Sequence, residues 1–114
     1  MANAKYNSSL LLEMMDGNQK EVKELAHMLF DLGPQMISEI SICIDTDNWK
    51  MAGDIAHKLK SSLKLWGMDD LVSYAIFIEK NGRNNTNHSE IIENFKTLES
   101  GLIDVLELMK KEYL

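Results

Sequence analysis

Residues 52–67, AGDIAHKLKSSLKLWG, carry the apolar period that decides the fold. At about 100° per residue, every third or fourth residue of this stretch lies on one side of a helix. One side is apolar and consists of Ala52, Ile55, Ala56, Leu59, Leu63 and Trp66. The other side consists of Gly53, His57, Lys60, Ser61 and Lys64. The pattern therefore predicts an amphipathic helix with a buried apolar face and an outward-facing His57.

Helical periodicity extends through the rest of the chain, where strand-like alternation is hard to find. The pattern predicts a short helix over residues 8–16, a long one over 19–44, the His57 helix up to residue 66, a fourth from 69 or 70 to 80, and a last one after 87. Predicted core positions in the four other helices are Leu10, Leu11, Met14, Met15, Val22, Leu25, Leu29, Leu32, Met36, Ile40, Cys43, Leu71, Val72, Ala75, Ile78, Ile91, Phe95, Leu98, Leu102, Val105 and Met109. Such faces are buried when the helices pack on one another.

Turn and cap residues set the predicted helix ends. Two pairs fit the capping-box pattern, Asn18 with Glu21 and Asn87 with Glu90. Asp69 or Asp70 is a candidate cap for the fourth helix. Residues 81–87, NGRNNTN, are predicted to be the one clear loop. Pro34 interrupts the second helix, and we expect a kink rather than a break because the apolar rhythm continues in phase across it.

The number and length of the helices predict the fold class. A chain of 114 residues is long enough for one domain. Four long helices with short connections bury their apolar faces best as an antiparallel up-down-up-down bundle. The expected fold is therefore all-α, a single domain over residues 1–114 with the helical bundle over about 8–113 and the short additional N-terminal helix covering one end.

Composition narrows the classes of function. The chain is 45% hydrophobic and 26% charged, as expected of a globular domain. A net charge of −6 argues against a nucleic-acid surface, because phosphate binding depends mainly on Lys and Arg. Cys43 is the single cysteine and excludes an internal disulfide. The polar start at residues 1–9 and the lack of a membrane-spanning stretch predict a cytoplasmic protein with no membrane association.

The outward side of the His57 helix predicts phosphoryl chemistry. A neutral imidazole is a nucleophile near physiological pH and can accept a phosphoryl group. The ammonium group of Lys60 would stabilise the phosphoryl oxygens on the modified ring. Lys58, Lys64 and Lys50 would make this side locally positive and attract a partner with a carboxylate-lined site.

The run His57-Lys58-Leu59-Lys60-Ser61-Ser62, with Gly67 ten residues after the histidine, resembles the H-x-L-K-G-S signature of histidine-containing phosphotransfer (HPt) domains. Those domains are four-helix bundles that relay phosphoryl groups between the aspartates of receiver domains. The resemblance implies that His57 is the phosphoacceptor, that Lys60 stabilises charge, and that Ser62 and Gly67 belong to the motif. Ser61 stands where the family usually has Gly, and we expect it to affect docking or the lifetime of the phosphohistidine.

The resemblance also implies the partners. They are response-regulator receiver domains, a hybrid histidine kinase, or both, and they dock on Gly53, Lys58, Ser61 and Lys64. The chain is expected to be a monomeric carrier rather than an enzyme, with no cofactor of its own, because the receiver supplies the Mg²⁺ for transfer.

Two other functions are kept as alternatives. Glu24-x-x-His27 and Asp54-x-x-His57 are similar to the carboxylate-x-x-His pairs of di-iron bundles, which need two further inward carboxylates. The candidates are Glu79, Glu93, Glu99, Asp104 and Glu107, and each lies off the apolar stripes. The second alternative is a structural or adaptor bundle in which His57 has no chemical role. His27 is predicted at the edge of a buried face, and His88 is predicted to be solvated.

Overall fold

The computed structural model describes residues 5–114, and these residues form five α-helices and no β-strand. The helices are α1 Ser9–Met14, α2 Gln19–Asp45, α3 Trp49–Leu65, α4 Asp69–Arg83 and α5 His88–Tyr113. α3 contacts α2 and α4, and α5 contacts the same two helices. The prediction of an all-α fold is therefore confirmed. The domain predicted over 1–114 and its polar start include residues 1–4, which lie outside the described part.

The apolar face predicted for α3 is buried along its whole length. In α5 all six predicted core residues are buried as well, and in α4 Leu71, Ala75 and Ile78 are buried while Val72 is partly buried. One hydrophobic core joins these helices to α2 and to Leu11 of α1. The period of 3.6 residues was thus sufficient to find the inner faces of α3, α4 and α5.

The inner face of α2 is rotated relative to the prediction. Leu32 is 42% exposed, and Leu25 and Met36 are only partly buried. The buried stripe is instead Val22, Ala26, Leu29, Gly33, Ile37, Ile40 and Cys43. The small residues Ala26 and Gly33 let α2 approach its neighbours closely. The resulting rotation of α2 places the larger Leu32 at the edge of the core.

Two further core predictions, in α1, are wrong. Leu10 and Met14 are 50% and 56% exposed, while Leu11 is buried and Met15 is partly buried. α1 has only six residues, so a single buried leucine is enough to hold its inner side. α2 is one unbroken helix through Pro34, as expected from the continuous apolar rhythm.

The end of α4 differs from the prediction of a loop over 81–87. α4 continues to Arg83, and Asn81 is buried. The Asn81 side chain donates to the backbone oxygen of Phe77 at 3.0 Å and accepts from Asn87 Nδ2 at 2.7 Å. These bonds satisfy the buried amide, so the connection to α5 is shortened to residues 84–87.

The predicted caps are confirmed at one helix only. Asn18 Oδ1 accepts from the backbone N–H of Glu21 at 3.2 Å and caps α2. Asn87 makes no side-chain cap; its φ is +54°, in the left-handed region, and its Nδ2 donates to Asn81 Oδ1. Met68 occupies the N-cap position of α4, so Asp69 and Asp70 lie in the first turn without capping it.

Within residues 5–114, no helix combines the length and the apolar character that crossing a lipid bilayer requires.

Candidate functional site

His57 lies on the outer side of α3, as its position in the sequence predicts. Its side chain is 48% exposed, while Ala56 and Leu59 on either side of the same turn are fully buried. The backbone of α3 is therefore held by the core, and the ring is left open to solvent.

Glu79 of α4 connects this ring to two cations. Its Oε2 atom lies 2.7 Å from His57 Nδ1, and its Oε1 atom accepts from Lys60 Nζ at 2.7 Å. Arg83, one turn further along α4, donates from Nη1 to the same Oε2 at 2.9 Å. An ionised carboxylate only accepts hydrogen bonds, so His57 Nδ1 carries the hydrogen that is donated. In the neutral ring this leaves the lone pair on Nε2.

The Glu79 carboxylate is kept ionised by its surroundings. Its side chain is only 12% exposed. Its pKa lies below the ordinary value, chiefly because of the hydrogen bond from Lys60, and the bond from His57 acts in the same direction. Burial opposes both effects, and the hydrogen bonds prevail. The ring therefore faces a fixed negative charge that two cations largely balance.

Glu79→Gln is expected to make stability less dependent on acid pH. Folding lowers the pKa of the Glu79 carboxyl group. The stability that Glu79 provides is therefore fully present above the ordinary pKa of 4.5, and it is lost as the pH falls through the lower pKa of the folded state. At neutral pH the variant should lose about 1 to 3 kcal/mol of unfolding free energy, since Lys60 and Arg83 lose their shared partner. The difference from wild type should shrink on acidification, as measured by urea unfolding at several pH values.

Glu107→Gln is the matched control for that substitution. Glu107 is 68% exposed and its nearest cation, Lys110 Nζ, is 3.6 Å away. An exposed ion pair of this kind contributes little to the free energy of unfolding. Equal pH profiles for Glu79→Gln and wild type would show that Glu79 is not a stabilising ion-pair partner.

A more exposed ion pair extends the site toward the N-terminus of α3. Arg83 Nε donates to Asp54 Oδ1 at 2.9 Å, and both side chains are 42% exposed. Arg83 thus joins Asp54 of α3 to Glu79 of α4, one turn from His57.

The remaining predicted surface residues divide into exposed and buried ones. Lys58, Ser61 and Lys64 are exposed, and Ser62 is half-buried. Ser61 Oγ donates to the backbone oxygen of His57 at 3.4 Å, and the ring above it stays open. Gly53 is buried against α4, so its predicted place on the docking surface is wrong.

Gly67 ends α3 in a conformation that favours glycine. Its φ is +62°, in the left-handed region. A Cβ atom there would lie 2.8 Å from the backbone oxygen of Asn7. Asn7 in turn donates its N–H to the backbone oxygen of Trp66 at 2.8 Å, and Trp66 is buried as predicted. The absence of a side chain at Gly67 thus leaves room for Asn7, which precedes α1, to pack against the end of α3.

An apolar groove opens beside the C-terminal half of α3. Its volume is about 120 Å³, and it is lined by Leu11, Leu25, Met28, Leu29, Leu32, Ser62, Leu65 and Trp66. Met28 and Leu32 on its rim are 55% and 42% exposed. The groove residues Ser62 and Leu65 are next in sequence to the exposed Ser61 and Lys64.

Neither of the other two histidines has a comparable setting. His27 Nε2 lies 2.8 Å from the backbone oxygen of Tyr113. His88, predicted to be solvated, is half-buried and stacks on Trp49 with ring centroids 4.0 Å apart. Residues 5–114 contain no group of three or more His, Cys, Asp or Glu that could hold a metal ion. The metal-binding alternative therefore lacks a ligand set in this part of the chain.

Sequence reasoning missed the part of the site that α4 supplies. It placed Glu79 among the acidic residues off the apolar stripes and did not pair it with His57. It also placed Arg83 in a loop. His57 and Glu79 are 22 positions apart in the sequence, with the end of α3 and a turn between them, so no local spacing indicates their contact.

Comparisons with protein-family models, with curated proteins and with solved structures give no match to this chain. The geometry of the site and the resemblance of its motif are thus the grounds for assigning a function.

Proposed function

We propose that this chain is a phosphorelay intermediate in two-component signalling. It accepts a phosphoryl group on His57 from a phospho-aspartyl receiver domain or a kinase, and it passes the group to another receiver. The observation that carries the proposal is an exposed imidazole whose Nδ1 atom lies 2.7 Å from a largely buried carboxylate, that of Glu79. The motif His57-Lys58-Leu59-Lys60 supports it independently.

The chemistry follows from the hydrogen bond at Nδ1. The lone pair on Nε2 attacks phosphorus, the bond from phosphorus to the aspartyl oxygen breaks, and the electron pair remains on that oxygen. The phosphorylated ring keeps its hydrogen on Nδ1 and carries positive charge. Glu79 stabilises that charge through the bond it already makes. The receiver supplies Mg²⁺ for the transfer, so the chain itself is a carrier without autonomous catalysis and needs no cofactor.

The same proposal includes a bundle topology. The four long helices run up, down, up and down, with α1 covering one end. Short connections at residues 46–48, 66–68 and 84–87 support this order, and so do contacts between successive helices and between α2 and α5.

We place the phosphoryl exchange in the cytoplasm, where kinase partners have access to ATP.

The docking surface in this proposal combines charge with apolar contact. Lys58, Ser61 and Lys64 are exposed on α3 within two turns of the ring, and the groove rimmed by Met28 and Leu32 is lined by Ser62 and Leu65 of the same helix. A receiver site lined by carboxylates is attracted to the lysines, while an apolar contact on α2 fixes its orientation. Lys58 and Lys64 are the exposed positive charges of this surface, on a chain of net charge −6.

The deciding experiment mixes the purified chain with receiver domains phosphorylated on aspartate, and separately with a hybrid histidine kinase, ATP and Mg²⁺. We expect acid-labile, base-stable phosphate on the chain, located on His57 by mass spectrometry of its peptides. Failure to gain such phosphate from every donor in a broad panel would reject the proposal and favour the adaptor alternative.

Lys60→Ala is expected to slow phosphoryl transfer by about tenfold, because it removes a fixed positive charge beside the reacting ring. Lys60 Nζ is held 2.7 Å from Glu79 Oε1 and its side chain is only 17% exposed, so the charge is well placed. Helix content measured by circular dichroism should not change. The measurement is the rate of phosphate gain from a labelled receiver.

Lys96→Ala, an exposed lysine of α5, is the control that removes one charge away from the site. It should leave the rate unchanged, and Lys60→Arg should retain more activity than Lys60→Ala. Equal rates for Lys60→Ala and wild type with several receivers would remove Lys60 from the mechanism.

A further inference from the structure

The helices α3 and α4 touch backbone to backbone at two glycines. A Cβ atom on Gly53 would lie 2.9 Å from the backbone oxygen of Glu79 and 3.0 Å from the backbone nitrogen of Arg83. A Cβ atom on Gly82 would lie 2.6 Å from the backbone oxygen of Trp49 and 3.1 Å from the backbone nitrogen of Gly53. Both glycines are buried inside helices, where alanine would otherwise be the better helix former.

We propose that Gly53 and Gly82 are positioning residues which set the distance between α3 and α4 so that Glu79 holds His57 Nδ1. The consequence for phosphoryl transfer rests on the proposed function, whereas the effect on the ring is independent of it. This inference replaces the expectation that Gly53 contacts a partner.

The contact is close enough to the site to control it. Gly53 lies one turn before His57 on α3, and Gly82 lies three residues after Glu79 on α4. The side chains of helical residues lean toward the N-terminus, so the His57 ring lies over the turn that contains Gly53. Any increase in the separation at this contact therefore acts directly on the 2.7 Å bond between His57 Nδ1 and Glu79 Oε2.

The atoms that a methyl group would meet belong to the backbone and cannot rotate away. Distances of 2.6 to 2.9 Å fall well inside ordinary carbon contacts, so either helix has to move outward by several tenths of an ångström or more. Such a shift stretches the 2.7 Å hydrogen bond to the upper end of the ordinary range, about 3.2 Å, or beyond it, and so weakens the hold of Glu79 on the ring. Lys60 lies on α3 with His57, so its own bond to Glu79 is stretched by the same shift, whereas Arg83 on α4 moves with the carboxylate and keeps its bond.

Loss of the bond changes the chemistry of the ring. With Glu79 in place, the hydrogen stays on Nδ1 and the lone pair on Nε2 faces outward. Without it, the neutral ring divides between two tautomers and turns more freely about its side-chain bonds. A smaller share of molecules then presents the nucleophilic Nε2, and the phosphorylated ring loses its counter-charge.

The test uses Gly53→Ala and Gly82→Ala, with Gly33→Ala as the matched control. Gly33 is also a buried helix glycine, but a Cβ atom there meets only side-chain atoms, the nearest being Leu106 Cδ1 at 3.5 Å. The ring tautomer is read from the ¹⁵N chemical shifts of His57 Nδ1 and Nε2 at a pH where the imidazole is neutral. The rate of phosphate gain from a phosphorylated receiver is measured in parallel.

Both α3–α4 variants should shift the ring toward a mixture of tautomers and slow phosphate gain by about tenfold, the size expected for loss of a charged hydrogen bond. Gly33→Ala should resemble wild type in both measurements. Wild-type ¹⁵N shifts in folded Gly53→Ala or Gly82→Ala would overturn the inference, whether or not the chain takes up phosphate. Absence of phosphate on the wild-type chain would instead overturn the proposed function and leave the tautomer test valid.

Glu79→Asp gives a second test that adds no bulk between the helices. It shortens the carboxylate by one methylene, and helices held apart by a backbone contact cannot close the gap. The variant should therefore show the same mixture of tautomers as Gly82→Ala. If Glu79→Asp keeps the wild-type ring signals, the helix separation is adjustable and the glycines do not set it, even if both alanine variants fail to fold.

Discussion

His57→Gln is expected to abolish phosphoryl uptake while the chain keeps its helical fold. Glutamine can still donate its amide to Glu79, but it has no nucleophilic nitrogen that can hold a phosphoryl group. Because the His57 side chain is 48% exposed, the substitution removes little buried surface, and the loss of stability should stay within about 1 kcal/mol. Acid-labile phosphate and the intact mass of the chain measure the effect after incubation with a phosphorylated receiver.

His27→Gln and His88→Gln are the controls for this experiment, because they remove the other two histidines of the chain. His27 bonds to the backbone oxygen of Tyr113, and His88 stacks on Trp49. Neither contact involves Glu79, so both variants should gain phosphate as wild type does. Phosphate on the His57→Gln chain at the wild-type level would contradict the assignment of the acceptor.

Leu59→Ala should produce the largest loss of stability among single changes in the motif. Leu59 lies two residues after His57 and has no exposed surface. Removing a fully buried leucine side chain costs about 2 to 5 kcal/mol, because apolar surface is lost and a cavity remains. Urea unfolding followed by circular dichroism measures the effect. A loss below about 1 kcal/mol would show that α3 does not bury this face.

Leu32→Ala is the matched control, since the same atoms are removed from a leucine that is 42% exposed. Its stability should fall by less than about 1 kcal/mol, because nearly half of its surface already contacts water and little cavity is left behind. Leu32 lies on the rim of the groove beside the proposed docking surface. The variant should therefore weaken receiver binding, measured by calorimetry, although Leu59→Ala affects stability far more.

The difference between these two leucines shows where the sequence pattern was sufficient. In α3 the large apolar residues Ile55, Leu59, Leu63 and Trp66 mark one face clearly, and every predicted member of that face is buried. In α2 the buried face includes Ala26 and Gly33, which carry little apolar signal of their own. Helix packing at small residues decides the rotation of such a helix, and this information lies in the neighbouring helices rather than in its own period.

The same contrast applies to the end of α4. Asn and Gly tolerate turn conformations and no apolar residue anchors this segment, so residues 81–83 were predicted to leave the helix. In the fold, Gly82 is needed where α4 touches α3, and the buried Asn81 amide is satisfied by Phe77 and Asn87. Burial and hydrogen bonding reverse a local preference that is worth only about 1 kcal/mol per residue.

For the candidate site, the sequence identified the histidine and its exposure, and the tertiary structure supplied its partner. The position of His57 off the apolar stripe depends on residues three and four apart, which are neighbours on any helix. The bond to Glu79 depends on how α3 and α4 approach each other, and that distance is set at Gly53 and Gly82.

The sequence by itself determined an all-helical chain, the buried face of the His57 helix and the outward direction of the ring. These features follow from local periodicity and from the exclusion of apolar side chains from water. Only the tertiary structure decided which carboxylate holds Nδ1, which cations balance that carboxylate, and which leucines of α2 remain on the surface. Each of these depends on contacts between residues far apart in the chain, whose distances no pattern within one helix encodes.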